Sequence, residues 1–296
     1  MQKILIAEIG SKSTVVNAFG NLNTENPKLL GQGISSKTVN EDLRLKLALS
    51  DLEEKIGPIG SERETPFYIT SSLPIRSTIQ EDVLVFNGEI LTASEAIMQA
   101  AQLIYEEVGD VLVLNVGGAS TNVYSVTSEL SAQRTFEEGL GVITNAPALA
   151  KLIGEDIIKE HHGQGWKNHL NYRPQTPEEM ALGAELAAAA ISIALRQHCE
   201  LFRNYNVVRG KVSSVEGHNL LQIRWIVGTG EVLTQLPNGL DIIRESIKEM
   251  ESALFPLEGT AMLLDKDCIM PSLGVLAPTF REGAWQLLRE SFGVEN

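Results

Sequence analysis

The sequence predicts an α/β protein made of two duplicated domains. Two widely separated segments share one pattern, in which an apolar strand, a turn rich in glycine and hydroxyl residues, and a second strand follow each other. Helices with one apolar face alternate with further short apolar runs, as in mixed α/β layers. Because the pattern occurs twice in 296 residues, we expect a first domain over residues 1–108 and a second over residues 109–296.

Composition and charge limit the classes of partner. The chain is 43% hydrophobic, which is enough for two cores, and its net charge of −14 without a dense Lys/Arg cluster argues against nucleic acid. Cys199 and Cys268 are too few for a disulfide framework, so we interpret both as core residues in a reducing compartment. The longest apolar stretch, residues 186–195, is too short to span a bilayer, and the first residues lack a secretory signal. We expect a cytoplasmic protein without a membrane anchor.

The second copy of the pattern is the most informative segment. Residues 111–116 form a continuous apolar run that is typical of a buried strand. Gly117 and Gly118 admit backbone angles that side chains forbid and let an anion approach the main chain. Ser120 and Thr121 add donors at the same place. Taken alone, the segment is equally compatible with a phosphate-binding turn and with an ordinary glycine hairpin.

The first copy of the pattern lies near the start of the chain. Residues 4–9 read as a strand, residues 10–14 as a hydroxyl-rich turn, and a strand resumes after it. Glu8 and Asn115 each stand two residues before the first glycine of their turn. Lys12 lies inside the first turn, where it either offsets phosphate charge or is a solvated lysine, and the sequence leaves both possibilities open.

Hydrophobic periodicity predicts the remaining elements. Helices are expected at residues 40–55, 93–108, 146–153, 155–161, 176–202, 241–254 and 282–292. Strands are expected at residues 28–34, 66–72, 82–88, 129–136 and 222–227, the last of them running into a glycine loop, and residues 261–265 are expected to be a strand or an extended segment. The helix that opens at Thr176 has a hydroxyl cap, a proline at its first position and Glu179 three residues after the cap. We expect this helix to be buried between layers and the polar stretch 163–174 to be mobile.

Two neighbouring histidines raise the question of a metal site. His161 and His162 are neighbours in a predicted helix, where adjacent side chains point apart, and no third ligand is evident nearby. We therefore interpret the pair as a solvated helix end. His198 is interpreted as a packing residue of the long helix.

Several segments occur in an order that is typical of one family. Residues 115–125 are similar to the family motif D-V-G-G-A-T-T-D-V-H-S, and residues 225–233 to its G-T-G-G-V-L loop. Residues 176–179 match its T-x-E-E helix opening, and residues 264–276 its final L-D-x-D-Y-x-x-P-x-x-G-x-L. The chain thus resembles the actin, sugar kinase and Hsp70 superfamily, and within it the glutamate mutase accessory proteins, the MutL/GlmL family. The match covers most of the chain, which is shorter than typical members.

This resemblance implies a fold and a site. The implied fold has two duplicated RNase H-like domains of the actin-like ATPase type, with a nucleotide cleft between them. The implied cofactors are ATP and Mg²⁺, with Glu8 and Asn115 at the catalytic positions and Glu8 holding Mg²⁺ largely through water. The residues that would bind nucleotide are Gly10, Ser11, Lys12, Ser13, Thr14, Gly117, Gly118, Ala119, Ser120, Thr121, Gly228, Thr229, Gly230 and Glu231.

The resemblance also implies a partner. Family members are accessory, chaperone-like proteins beside a coenzyme-B12-dependent mutase such as glutamate mutase, for which protection or reactivation by exchange of damaged cobalamin is proposed. A cobalamin signature of the D-x-H-x-x-G type does not occur in the sequence, so any cobalamin would be held by the partner. The sequence gives no indication of the oligomeric state.

The departures from the family pattern concern the acidic residues. Asn115 and Asn122 stand where the family has aspartates, and Glu8 stands in place of an aspartate. Mg²⁺ favours carboxylate and water oxygens, and an amide cannot accept a proton as a carboxylate does, so we expect weak ATP hydrolysis. Glu231 replaces a glycine, where it would either bond ribose or repel phosphate.

Three functions follow from this pattern. The first is an ATP-dependent accessory protein, and the second is a nucleotide-binding pseudo-ATPase scaffold. The third is a small-molecule kinase of the same fold, which would need a catalytic aspartate where the chain has Asn115.

Overall fold

The computed structural model describes residues 3–36, 40–60, 65–72, 90–128, 132–208, 219–248 and 260–294. The described strands are β1 (Lys3–Ile9), β2 (Thr14–Gly20), β3 (Lys28–Ser35), β4 (Phe67–Ser71), β5 (Leu91–Thr92), β6 (Val111–Val116), β7 (Thr121–Val126), β8 (Gln133–Glu137), β9 (Trp225–Thr229) and β10 (Ala261–Leu264). The described α-helices are α1 (Glu41–Ile56), α2 (Ala93–Val108), α3 (Ala146–Ile153), α4 (Glu155–His162), α5 (Pro177–Val208), α6 (Glu231–Gln235), α7 (Gly239–Lys248), α8 (Met270–Leu276) and α9 (Arg281–Phe292).

The strands form two five-stranded sheets with the same topology. In the first sheet the order is β3-β2-β1-β4-β5, and in the second it is β8-β7-β6-β9-β10. Each sheet starts with an antiparallel three-stranded meander, and its last two strands run parallel to the first. Because both order and direction repeat, the duplication predicted from the two hairpins is confirmed.

The chain divides into two compact units whose bounds differ from the expected ranges at residues 104–108 and 269–296. The first unit contains residues 1–103 and 269–296, and the second contains residues 104–268. The C-terminal residues group with the first unit because α8 and α9 pack on it closely. A Cβ on Gly274 would overlap the carbonyl oxygen of Ala96, and one on Gly283 would lie 2.5 Å from the carbonyl oxygen of Leu22.

Helix caps fix the starts of two helices, and the second of them was predicted from the sequence. The Asn40 side chain accepts a hydrogen bond from the backbone N–H of Leu43 at 2.8 Å. At the start of α5, Thr176 Oγ1 accepts from the backbone N–H of Glu179, and Glu179 Oε2 accepts from the backbone N–H of Thr176, both at 3.2 Å. This reciprocal capping box satisfies two backbone donors that a helix start otherwise leaves open.

The cores are built on the apolar strands. In the first unit, β1 is buried along most of its length and α1 covers the sheet so closely that a Cβ on Gly33 would overlap its backbone. In the second unit, α5 buries one stripe rather than its whole circumference. The fully buried residues of this stripe are Leu182, Leu186, Ala187, Ala190, Ile191, Ala194 and Leu195. Ala188 and Ala189, which the sequence suggests are buried, are only half-buried.

Several local expectations are corrected. The strand expected at residues 222–227 begins at Trp225 as β9, and Gln222 instead ends a 3-10 turn, Asn219–Gln222. The stretch 163–174 contains a second 3-10 turn, Trp166–His169, and Trp166 is fully buried, so an indole anchors a stretch expected to be mobile. Cys268, which was expected in a core, is only partly buried, with a φ of 52°.

The strand expected at residues 82–88 and the helix end at residues 249–254 lie outside the described residues. Within the described ranges, no helix is both long and apolar enough to cross a membrane.

Candidate functional site

The two hairpins close with the same backbone hydrogen bond. The N–H of Gly10 donates to the carbonyl of Ser13 at 2.8 Å, and the N–H of Gly117 donates to the carbonyl of Ser120 at 2.9 Å. The flanking strands also pair in the same register, one residue before the glycine with one residue after the serine. Hairpin 1 (residues 8–15) and hairpin 2 (residues 115–122) are therefore equivalent structures.

Glu8 is held in hairpin 1 by three donors. Its Oε1 accepts from Asn17 Nδ2 at 3.0 Å, from the backbone N–H of Ser272 at 3.1 Å and from Ser272 Oγ at 2.5 Å. Gln32 Nε2 in turn donates to Asn17 Oδ1 at 2.9 Å. Because the donors converge on one oxygen, the orientation of the carboxylate is fixed.

Arg44 supports hairpin 1 and was not identified from the sequence. Its Nη1 donates to the carbonyl of Ser11 at 3.0 Å and its Nη2 to the carbonyl of Gly10 at 3.2 Å, and the residue is only 5% exposed. The sequence feature that could have indicated its burial is its position on α1, four residues before the buried Ala48 and so on the same face of the helix. Lys12, by contrast, is exposed in the turn.

Hairpin 2 is braced by the chain that follows β8. The backbone N–H groups of residues 142–144 donate to the carbonyls of Gly117 and Gly118 at 2.8 to 3.3 Å. Thr121 Oγ1 donates to the carbonyl of Leu140 at 2.8 Å. The hydroxyl that the sequence suggested as a phosphate donor is therefore buried and engaged within the fold.

Gly118 is covered by an aromatic ring whose position no local sequence pattern predicts. A Cβ on Gly118 would lie 2.9 Å from Cδ1 of Tyr172 and 3.2 Å from Oε1 of Glu231. Tyr172 Oη shares a hydrogen bond with Thr144 Oγ1 at 2.9 Å. Burial raises the pKa of Tyr172 above 10.0 and the Glu231 charge adds to this, while the bond to Thr144 lowers it. An un-ionised phenol therefore lies beside a carboxylate at this turn.

The glycine loop, residues 228–231, lies against hairpin 2. Asn115 and Thr229 are register partners on the parallel strands β6 and β9. Gly230 has a φ of +96°, and a Cβ there would lie 2.5 Å from Asn115 Oδ1. The close approach requires glycine, because a side chain would be strained and would strike the amide. The structure thus brings together the site residues predicted in the second unit.

Thr229 has a structural role within this loop. Its Oγ1 donates to Asp265 Oδ2 at 2.8 Å, and both residues are fully buried. Asp265 was noted in the sequence only as part of a family motif. Its carboxylate at the end of β10 fixes the threonine, so the hydroxyl of Thr229 points into the protein.

Each hairpin contains one buried polar atom that lacks a hydrogen-bond partner among the described residues. These atoms are Thr14 Oγ1 and Asn122 Oδ1, while Asn122 Nδ2 donates to Ser120 Oγ at 3.3 Å. Buried polar atoms are normally satisfied. Within hairpin 1 the Thr14 hydroxyl is suited to donate to an anion such as phosphate, and within hairpin 2 the Asn122 amide oxygen is suited to accept from a water molecule, such as one that hydrates Mg²⁺.

The chain shares its fold with a solved structure. Component A of the (R)-2-hydroxyglutaryl-CoA dehydratase of Acidaminococcus fermentans matches with a TM-score of 0.52 at 12% identity, over 96% of this chain and 100% of that chain. At this identity the likeness concerns the fold. Together with the repeated sheet topology, it confirms the predicted class of two duplicated RNase H-like domains of the actin-like ATPase type.

Sequence comparison identifies the family. Protein MutL of Clostridium tetanomorphum is 24% identical over 236 residues, which cover 69% of this chain and 51% of that protein. The chain therefore spans about half the length of this curated relative. The model of the MutL protein family matches residues 78–292, which is more than half of the chain. The chain therefore belongs to the MutL protein family.

Proposed function

We propose that the chain binds ATP with Mg²⁺ and serves as an accessory, chaperone-like protein that protects or reactivates a coenzyme-B12-dependent mutase such as glutamate mutase. Membership in the MutL family supports the accessory role. Cobalamin itself is proposed to be held by the mutase subunits, and a cytoplasmic location is part of the same proposal. Since the chain spans about half of the relative it matches, the function of a whole family member is extended to it here as a proposal.

One observation carries the nucleotide proposal. The glycine loop and hairpin 2 lie side by side in the second unit, with Gly230 against Asn115. Gly117, Ala119 and Ser120 are partly exposed there. We assign phosphate contacts to these residues and to the equivalent turn residues of hairpin 1, and contacts to the nucleoside to the glycine loop.

Hydrolysis is proposed to be slow. When bound, Mg²⁺ would offset phosphate charge and polarise the γ-phosphate. Glu8 is the acidic residue of hairpin 1 whose fixed carboxylate is suited to orienting a water molecule of that ion. Asn115 can orient a water molecule but cannot take its proton.

Tyr172 affects how phosphate reaches hairpin 2. Its ring covers Gly118, so a phosphate that contacts the main chain of Gly118 must displace the ring. A phosphate bound only by the partly exposed residues of the turn would leave the ring in place. In either case, Glu231 puts negative charge next to the phosphate site.

Calorimetric titration with ATP, with and without Mg²⁺, tests the proposal. Ala119→Asp places a carboxylate in the turn of hairpin 2, and we expect repulsion of the phosphates to weaken ATP binding by at least about tenfold. Ala119→Asn is the matched neutral control and should stay within about threefold of the unchanged chain, because surface changes of this kind have small effects. Absence of ATP binding, or equal binding by both variants, would refute the assignment.

The pseudo-ATPase scaffold is the second candidate function. It is favoured by Asn115 and Asn122, which supply no negative charge for Mg²⁺. ATP binding that is independent of Mg²⁺, without single-turnover hydrolysis, would identify the scaffold. Copurification with a mutase subunit would support the accessory role in either case, whereas sugar-stimulated release of ADP would identify a kinase.

A further inference from the structure

Three potential metal ligands meet between α4 and α5 in the second unit. His161 Nδ1 lies 3.0 Å from Glu185 Oε1, and His162 Nε2 lies 2.8 Å from Glu185 Oε2. All three ligand atoms lie within 4.8 Å of one another. The sequence suggested a solvated helix end without a third ligand, and the structure corrects this because Glu185 of α5 reaches both rings.

The two neighbouring histidines converge because they use different ring nitrogens. His161 faces Glu185 with Nδ1, the nitrogen nearer to its backbone, and His162 with Nε2, the more distant one. The different reach of the two atoms compensates for the turn of the helix between adjacent residues. The carboxylate lies between the rings and supplies an oxygen to each.

The ligand set fits a transition-metal ion. Zn²⁺ is bound by imidazole nitrogens at about 2.0–2.1 Å and by carboxylate oxygens at about 2.0–2.2 Å, and sites with two histidines and one glutamate leave a position for water. The ligand atoms are already close enough that small side-chain rotations would bring them to these distances. Imidazole ligands favour Zn²⁺ and other first-row divalent ions over Mg²⁺ or Ca²⁺.

The surroundings suit a cation with one side open to solvent. The side chain of His161 is 52% exposed, whereas those of His162 and Glu185 are 9% and 25% exposed. Both histidines end α4, and the carbonyl groups at a helix C-terminus favour positive charge. Lys159, two residues earlier, contacts Glu155 and Asp156, each at 3.5 Å, so acidic neighbours offset its charge.

We propose that His161, His162 and Glu185 form a binding site for a divalent first-row transition-metal ion such as Zn²⁺. The ion takes the place of the hydrogen bonds between the rings and the carboxylate, each neutral ring carrying its proton on the nitrogen that faces away from the ion, and it links the end of α4 to α5. The site is made entirely of residues outside the two hairpins and the glycine loop, so it does not depend on nucleotide binding.

Titration of the whole chain with ZnCl₂, followed by calorimetry and by the visible spectrum of the Co²⁺ form, tests this site. We expect one ion per chain and the d–d absorption of a low-symmetry Co²⁺ site. His161→Asn and Glu185→Gln should each weaken Zn²⁺ binding by at least about tenfold, as even the loss of an outer partner does in metal sites. His169→Asn removes a partly buried histidine outside the cluster and should leave the affinity unchanged.

Thermal unfolding gives a second readout that does not depend on the calorimetric signal. An ion that binds only the folded chain raises the Tm, so excess Zn²⁺ should raise it for the unchanged chain and for His169→Asn but not for Glu185→Gln. Circular dichroism without metal checks that each variant is folded. The proposal is wrong if the unchanged chain binds no Zn²⁺, or if Glu185→Gln and His169→Asn bind it as tightly as each other.

Discussion

The ring of Tyr172 packs on Gly118, and its Cδ1 lies 2.9 Å from the position of a Cβ on that glycine. The two residues are also linked through Thr144, whose hydroxyl bonds to Tyr172 Oη and whose backbone N–H donates to the carbonyl of Gly118 at 2.8 Å. The turn of hairpin 2, the tyrosine and the brace are therefore one packed cluster. We therefore expect the effects of substitutions at Tyr172 and Gly118 on the free energy of unfolding not to be additive.

A double-mutant cycle measures this dependence. Gly118→Ala should lower the free energy of unfolding by about 1–3 kcal/mol, because the new methyl group collides with the ring. In a Tyr172→Ala background, Gly118→Ala should lower the free energy of unfolding by about 1 kcal/mol less, because substitutions of residues in contact are not additive. Urea unfolding of the four proteins gives the values. Gly139→Ala is the control, since a Cβ there has no neighbour within 4 Å. Equal costs of Gly118→Ala in both backgrounds would contradict the packing.

Glu231 supplies a second prediction at the same turn. Its Oε1 lies 3.2 Å from the Cβ position of Gly118, so its charge opposes a phosphate at hairpin 2. Removal of one like charge at this range is worth roughly 1 kcal/mol, so Glu231→Gln should tighten ATP binding about fivefold in calorimetry. Glu245→Gln, an exposed residue of α7, removes the same charge elsewhere and should have little effect. Weaker binding by Glu231→Gln would instead indicate a hydrogen bond to ribose.

The sequence predicted those parts of the site that local patterns determine. The hairpins follow from apolar runs interrupted by glycine and hydroxyl residues, and the equivalence of Glu8 and Asn115 follows from their spacing to the first glycine. The capping box of α5 was recognisable for the same reason. Each of these features lies within a few residues of the chain, where backbone geometry relates spacing to position.

The rest of the site depends on contacts between distant segments. No local pattern places Tyr172 over Gly118 or joins Thr229 to Asp265, because these pairs meet only when separate elements pack. The cluster of His161, His162 and Glu185 was missed for the same reason. The expectation that adjacent histidines point apart takes no account of a third residue from another helix. Asn115 could be located from the sequence, but its contact with Gly230 could not.

The pair Thr229 and Asp265 leads to a stability prediction. Thr229→Val leaves a buried carboxylate without one of its hydrogen bonds, which should cost about 1–3 kcal/mol in urea unfolding. Thr229→Ser keeps the donor and should cost less. Because the hydroxyl points into the protein, ATP affinity should be the same for both variants where they are folded. A stable Thr229→Val chain with weakened ATP binding would show that the hydroxyl contacts the nucleotide.

His198 makes stability depend on pH. It is buried on α5 between Ser125 Oγ, 3.0 Å from Nε2, and Thr135 Oγ1, 2.6 Å from Nδ1, and burial lowers its pKa from 6.5 to about 3. Below pH 6.5 the His198 ring is protonated in the unfolded chain but stays neutral in the folded chain. The stability that the chain has with this ring buried and neutral is therefore complete above pH 6.5. As the pH falls toward 3, the free energy of unfolding decreases by roughly 1.4 kcal/mol per pH unit.

Urea unfolding at pH 7, 6 and 5 checks this dependence. The unchanged chain should lose about 2 kcal/mol more between pH 7 and pH 5 than His198→Gln, which has no ionisable ring. His169→Gln removes a histidine that is only partly buried, and the free energy of unfolding of this variant should depend on pH as it does in the unchanged chain. If the free energy of unfolding falls equally steeply with pH in the unchanged chain and in His198→Gln, this ring is not the group that titrates.

Glu8→Gln separates the structural role of hairpin 1 from its proposed chemistry. The amide oxygen of glutamine can still accept from Asn17 Nδ2 and from Ser272, so stability should change by no more than about 1 kcal/mol. Glu8→Ala leaves these donors unpaired and should cost about 1–3 kcal/mol. Single-turnover hydrolysis of Mg²⁺-ATP should nevertheless be abolished in Glu8→Gln, because the amide lacks the charge that Mg²⁺ favours. Hydrolysis that persists unchanged in a folded Glu8→Gln chain would remove Glu8 from the proposed mechanism, since the bonds to Asn17 and Ser272 would then be its whole function.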